Sequence, residues 1–367
     1  MTTRKHHIAI VCNYALKPDR IGGMDRFFKA YDAAVKEKGY DVTWFFSDYK
    51  PFDFYKDLTI FSAGGTENVE IYFLDHLKKN QQMYNILITH FTSLCSSFYK
   101  NVKAVSSIKT SIVVDHNPRP LNGFPLKKRI KNRLKGIVYH KYIDRFIGVS
   151  QYTVKNIIKD LGNQVAAKTS LVYNGIDTKV FNKRLGLDQQ SDLLYLVVVS
   201  HLRYSKGIQD LLAALGLLSE EDKKRIKVDI YGEGPMEELL KKQMEDGAIE
   251  QIVSFKGSSS AIPEILCKYD CLIQPTYMEC FSLSILESLS ANVPVITTTV
   301  GGNPEIIQND KNGFLFKAKD IHALSEILKG LINDEIKISK PVNELIEQKY
   351  TLEKMVVNHM QILEGCI

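Results

Sequence analysis

The sequence predicts an α/β protein built as two doubly wound domains, and three observations carry that expectation. Short runs rich in Ile, Val and Phe recur with longer segments of helical period between them. The pattern halts at a polar stretch and then restarts. A chain of 367 residues also exceeds the usual range of a single core.

In the first half the runs are "HIAIVCNY", "DVTWFF", "YNILITHF", "SIVVDHN", "RFIGVS" and "TSLVYNG", each expected as a buried strand of a parallel sheet. "GIDTKVFNKRLGLDQQSD" carries no apolar period, which puts a linker near residues 178 to 192 and ends the first domain at about 185. Six further runs follow: "LLYLVVVSHL", "RIKVDIYGEG", "IVSFKG", "DCLIQPT", "PVITTTVGG" and "GFLFKA". Strands alternating with helices on this scale give doubly wound sheets, which bind ligands at the carboxyl ends of their strands. The cleft that the two domains face is therefore where chemistry is expected. No internal repeat or low-complexity tract competes with this reading.

Nothing approaches 18 consecutive apolar residues, and "MTTRKHHIAIVCNYALKPDR" lacks the apolar run and cleavage site of a signal peptide, so a cytoplasmic setting is expected. The six cysteines form no C-x-x-C pair and read as reduced, mostly buried thiols. The net charge of +6 is unevenly placed. Residues 1–185 hold 30 Lys+Arg against 15 Asp+Glu, or +15, leaving 18 against 27, or −9, for the rest. A basic half suits an anionic surface or substrate, with nucleic acid, phospholipid head groups and phosphorylated small molecules as the candidates.

Four stretches bear on the chemistry. "RIGGMDRFFKAY" follows the first strand, and Gly22 and Gly23 there could bring a helix start with free N–H groups against an anion, or could simply make a tight turn. "VVSHLRYSKGIQDLLAAL" places Arg203 and Lys206 before a helix with apolar spacing, a pair of cations in an acidic half that suits a diphosphate. "IYGEGP" is not a dinucleotide fingerprint, because Glu237 stands at the third glycine position. In "MECFSLSILES", Glu279 and Glu287 are eight residues apart, roughly 12 Å at helical rise, comparable to a ribose, a diphosphate and part of a sugar. The plainer reading of Glu287 is a capping box closed with Ser284; that of Glu279 is an exposed loop carboxylate.

In order and spacing, Gly22-Gly23, "NGID" at 174–177, "SHLRYSKG" at 200–207, "GEGP" at 232–235, Glu279 with Glu287, and "PVITTTVGGNPEII" at 294–307 resemble family 4 of the retaining glycosyltransferases, which has the GT-B fold of two Rossmann-like domains. The resemblance spans nearly the whole chain. It implies an acceptor domain at 1–185 and a donor domain at 186–345, with a final helix at about 346–367 packing back on the first. It also implies that Lys206 binds the donor diphosphate, Glu287 the ribose hydroxyls and Glu279 the hydroxyls of the transferred sugar. The backbone of Phe281, Ser282 and Leu283 would hold sugar and phosphate oxygens, Gly22-Gly23 would close over the phosphate, and His116 would face the donor sugar. Glu305 is a further position that the family often keeps. Two departures stand out: His201 occupies a position that is often Arg, which leaves Arg203 as a candidate second cation, and Ser282 replaces a common glycine.

The implied activity is transfer of a hexose-type sugar from a UDP- or GDP-sugar to a glycan or lipid-linked acceptor, in cell-surface polysaccharide or glycolipid synthesis, without cofactor or metal. Charge growing on the leaving diphosphate would be met by cations and helix N–H groups, and the sequence contains no D-x-D. Two carboxylates near 12 Å apart do not suit a glycosidase, whose pair needs about 5 to 10 Å. The alternatives are a nucleotide-sugar epimerase on the same fold and a catalytically silent, membrane-associated binding protein. On the acceptor side, "PLKKRIKNRLKGIVYHKYIDR" at 125–145 reads as a cationic amphipathic helix with Leu126, Ile130, Leu134, Ile137 and Val138 on one face. It either meets an anionic membrane at the cytoplasmic face or packs its apolar stripe on the first domain with the lysines solvated. No nucleic-acid module accompanies it, so nucleic acid is not expected as a partner.

Overall fold

A computed structural model describes residues 6–80, 83–187 and 192–367, and there every run read as a strand forms one. The first sheet holds β1 (His7–Ala15), β2 (Asp41–Asp48), β3 (Ile60–Ser62), β4 (Ile86–His90), β5 (Thr110–Asp115), β6 (Arg145–Gly148) and β7 (Thr169–Leu171), in the order β3-β2-β1-β4-β5-β6-β7. The second holds β8 (Leu194–Val199), β9 (Ile226–Tyr231), β10 (Val253–Gly257), β11 (Cys271–Gln274), β12 (Val295–Thr298) and β13 (Gly313–Phe316), in the order β10-β9-β8-β11-β12-β13. All these pairings are parallel. Both sheets reverse direction beside their first strand, the arrangement that opens a crevice at the strands' carboxyl ends. β3 escapes the sequence because it is a half-buried edge strand of three residues.

The chain divides into two compact units. One comprises the residues through 117, 123–175 and 352–367; the other comprises 118–122 and 176–351. Part of the stretch read as a linker, 188–191, lies outside the described residues. Earlier in that stretch the chain is fastened to the second unit: Arg184 donates to Asp270 Oδ1 at 2.6 Å and its main-chain N–H to the Ala291 carbonyl at 2.9 Å.

In the first unit the helix Gly23–Glu37 buries Phe27, Phe28, Tyr31 and Val35, a helical spacing that makes one continuous apolar face. Phe28 lies 5.3 Å from the ring of Trp44 and 5.4 Å from that of Phe46, both on β2. The buried indole N–H donates to Asp32 Oδ1 at 2.9 Å, and Lys36 meets the same carboxylate at 2.7 Å, so neither polar group is left unpaired. The helix Leu352–Glu364 covers this face, with the His359 ring 5.0 Å from Phe27.

The basic helix runs over Leu126–Tyr139 and stops there; a 3-10 turn, His140–Tyr142, and the buried Ile143 follow. The segment at 125–145 is thus helical only in its first two thirds. It rests on the helix Gln151–Leu161 at Gly136, where an added Cβ would stand 2.0 Å from the Leu161 carbonyl oxygen. Its apolar stripe does not pack on the domain, and Leu126 is 68% exposed.

Candidate functional site

In the second unit the loops leaving β8, β9 and β11 are joined main chain to main chain, and the loop leaving β12 packs against them. After β8, Ser200 N–H donates to the Tyr231 carbonyl at 3.0 Å and Leu202 N–H to the Glu233 carbonyl at 2.9 Å, so "SHL" and "GEG" brace each other. The loop then makes a 3-10 turn at Tyr204–Lys206 and enters the helix Ile208–Gly216 through Gly207. Gly207 has φ +71°, and an added Cβ would lie 1.8 Å from the Pro275 carbonyl oxygen. Tyr277 N–H and Thr276 Oγ1 both donate to the Ser205 carbonyl, at 2.8 and 3.1 Å. Gly301, at φ +63°, lets the loop after β12 approach Glu279, where a Cβ would stand 1.8 Å from that residue's carbonyl oxygen.

These contacts bring Lys206 and Glu279 together. Lys206 Nζ donates to Glu279 Oε2 at 2.9 Å, with the side chains 23% and 13% exposed, and Cys280 N–H donates to Glu279 Oε1 at 3.2 Å. Glu279 is therefore a held carboxylate and not a free loop acid.

The helix Leu283–Ser290 begins beside it. Its cap is Ser282, whose Oγ accepts from Ile285 N–H at 3.4 Å. The capping box read between Ser284 and Glu287 does not form, because the helix starts one residue after Ser282 and leaves Glu287 beyond the first turn. Glu279 to Ser282 are not helical, so the helical rise behind the roughly 12 Å between the glutamates applies only from Leu283 onward. Gln274, at the end of β11 and 3% exposed, donates through Nε2 to Ser282 Oγ at 2.7 Å and Ser284 Oγ at 2.8 Å. The two hydroxyls lie 3.1 Å apart. Phe281 is buried edge-on against the Tyr350 ring at 5.3 Å, and the Tyr350 hydroxyl donates to the main-chain carbonyl of Glu305 at 3.3 Å.

Arg203 and His201 are exposed, and Arg203 N–H donates to the His201 carbonyl at 2.8 Å. A cation that the sequence reasoning missed is Lys319. It lies 5.2 Å from the Tyr277 ring centroid, and the Tyr277 hydroxyl donates to Asp210 Oδ1 at 2.7 Å. Burial pushes the Asp210 carboxyl up, and the Tyr277 hydrogen bond and Lys319 pull it back. "FKAKD" carries no motif, so no signal in the sequence marks Lys319.

In the first unit Gly22 caps the helix Gly23–Glu37, but its amide is not free: Asp25 Oδ2 accepts it at 2.9 Å. The Asp25 carboxylate, fully buried, also accepts from the hydroxyls of Tyr14 at 3.2 Å and Tyr55 at 2.7 Å. The anion at this amide is the protein's own side chain, which corrects the expectation of a free N–H at Gly22. His116 follows β5 and His90 ends β4, side by side. His116 Nε2 lies 3.0 Å from His90 Nδ1, so one ring donates and the other accepts. His116 also stacks on Phe91 at 4.3 Å. Burial, with His359 nearby, pushes His116 down to about 3; burial alone takes His359 to about 3; burial and both neighbours lower His90. All three rings are neutral at physiological pH. The six cysteines are free thiols, four of them buried. Among the described residues no cluster of His, Cys, Asp or Glu could hold a metal ion, and no helix is long and apolar enough to cross a membrane.

Residues 21–180 match the family described as Glycosyltransferase Family 4, and residues 182–351 match Glycosyl transferases group 1. Over 203 residues the chain is 29% identical to N-acetyl-alpha-D-glucosaminyl L-malate synthase of Bacillus anthracis, covering 52% of each. The chain spans about half the length of the curated relatives it matches. Among solved structures, Anabaena HepE in complex with UDP and glucose superimposes with a TM-score of 0.74 at 16% identity, over 97% of this chain and 99% of that one. The lipopolysaccharide outer core galactosyltransferase WaaB, in its apo form, does so with a TM-score of 0.74 at 18% identity, over 98% and 100%. The fold is GT-B.

Proposed function

The chain belongs to glycosyltransferase family 4, and on that premise we propose that it transfers a hexose-type sugar, with retention of configuration, from a nucleoside diphosphate to a glycan or lipid-linked acceptor. The observation that carries this reading is the Lys206–Glu279 pair held at the start of the helix Leu283–Ser290. Lys206 takes the donor diphosphate, with Arg203 as a second cation on the same turn. The main chain of Phe281, Ser282 and Leu283 offers amides to sugar and phosphate oxygens. Glu279, once released from Lys206, accepts from hydroxyls of the transferred sugar, and Glu287 accepts from the ribose. For Gly22, Gly23 and His116 the proposed donor roles rest on the family resemblance alone.

Departure of the nucleoside diphosphate builds negative charge on the β-phosphate. A fixed ammonium and helix amides stabilise that charge where it develops, so the proposed reaction is metal-independent. Same-face attack gives retention, with the leaving phosphate taking the acceptor proton. UDP is the favoured nucleotide, since HepE, which shares the fold, is seen with UDP and glucose. The galactosyltransferase of the lipopolysaccharide outer core, also on this fold, supports an acceptor in cell-surface glycolipid or polysaccharide synthesis; the proposed setting is the cytoplasmic face of a membrane. Calorimetric titration with UDP-, GDP- and ADP-glucose tests the donor. UDP-glucose should bind best, and Glu287→Ala should weaken it about tenfold or more, the value of hydrogen bonds to a charged group. Equal affinity in the variant would remove Glu287 from the site.

A further inference from the structure

The helix Leu126–Tyr139 turns its apolar side away from the protein. Its one buried residue is Gly136, seated against the Leu161 carbonyl, and on that side the Cys95 thiol donates to the Lys135 carbonyl at 3.4 Å. Leu126, Ile130, Leu134, Ile137 and Val138 are 68%, 52%, 56%, 59% and 49% exposed. At about 100° per residue these five side chains fall in an arc of roughly 120°, whose middle stands about 140° around the axis from Gly136. Arg129 and Arg133 lie along one flank, Lys128, Lys131 and Lys135 along the other, and Lys127 stands within the arc; the helix contains no carboxylate. An apolar stripe normally faces the core. Here the core side is a glycine, and the stripe meets solvent.

We propose that this helix lies in the plane of an anionic phospholipid bilayer, with the five aliphatic side chains in the acyl boundary and the flanking cations at the lipid phosphates. Lysine and arginine stems can run along the apolar surface while their charges stay at the head groups. The helix is too short and too charged to span a bilayer, which leaves the in-plane position. A second copy of the chain is a poor occupant, because two such faces would set twelve cations together with no carboxylate in either helix to offset them. A flat anionic boundary matches both flanks at once. The proposal deepens the transfer reading, and rests on it only for the purpose of the contact: the acceptor is presented at the surface to which the enzyme is bound.

Sedimentation of the full chain with vesicles tests this, using phosphatidylcholine alone and phosphatidylcholine mixed with phosphatidylglycerol, at low and high salt. The chain should sediment with the anionic vesicles and not the neutral ones, and lose most of the binding at high salt. Lys127→Gln should weaken binding about fivefold and Lys127→Gln/Lys131→Gln more than tenfold. Ile130→Ser/Ile137→Ser, both exposed and outside the donor site, should weaken it at least tenfold with UDP affinity unchanged. Equal sedimentation of that double variant and the parent chain would overturn the proposal. So would a concentration-dependent dimer, or a complex with an acidic protein, that this variant abolishes while the parent ignores vesicles. Loss of UDP binding with vesicle binding intact would instead sink the transferase reading and leave the membrane contact standing.

Discussion

Lys206 Nζ and Glu279 Oε2 lie 2.9 Å apart across 73 residues of sequence, and the carboxylate occupies the cation that a diphosphate would need. Ligand and side chain then compete. Glu279→Gln should bind UDP alone several-fold more tightly than the parent chain, because the ammonium no longer has a charged partner to leave, while sugar transfer falls by about 100-fold or more. Lys206→Met should weaken UDP by about tenfold to 100-fold. Weaker UDP binding in Glu279→Gln, measured by calorimetry, would remove the competition.

Ser282 caps the helix Leu283–Ser290. Ser282→Ala should lower stability by about 1 kcal/mol, read as a fall in the thermal midpoint, and leave Gln274 Nε2 with Ser284 alone. Ser284→Ala keeps the cap and should cost less. The reverse order would assign the cap to Ser284.

Gly301→Ala places a methyl 1.8 Å from the Glu279 carbonyl at a φ of +63°. The loop must move, with a strain of about 1 to 2 kcal/mol. The expected outcome is a folded protein whose transfer rate drops far more than its UDP affinity, since Glu279 shifts and the helix start does not. Wild-type kcat from this variant would show that Gly301 does not position Glu279.

Acid pH should destabilise the first unit through its histidines. Their folded values lie below the ordinary 6.5, so the unfolded chain binds more protons and stability is lost as pH falls from about 6.5 toward 3. Taken singly, His116 or His359 contributes a loss of about 2 kcal/mol at pH 5. Thermal midpoints recorded from pH 7.5 to pH 5 should show this slope, and His359→Gln should flatten it. An identical slope in the variant would exclude His359 as a source.

The two sheets were legible because buried parallel strands read as unbroken apolar runs, and each turn into the next helix carries its own glycine or polar mark. β3 was not, since three half-buried edge residues make no pattern. Lys206 and Glu279 were readable as charged residues of loops that follow strands, but their pairing and their local partners were not. Ser282 and Ser284 are equivalent on a capping template, and the choice depends on where the loop lets the helix begin, with Gln274 holding both hydroxyls from the strand below. Asp25 taking the Gly22 amide was open to reading as an acid at the third helical position, whereas Lys319 reaches Tyr277 only through tertiary contact.

The helix Leu352–Glu364 belongs to the first unit, yet it is translated after the whole of the second. On the ribosome, strands β1 to β7 emerge early with the face of Phe27 and Tyr31 uncovered, and the His359 ring that closes it arrives only once more than 170 intervening residues have been made. Domains usually fold as they emerge. Here that step waits on the helix Leu352–Glu364, and the apolar face of Phe27 and Tyr31 stays exposed on the nascent chain until it is made.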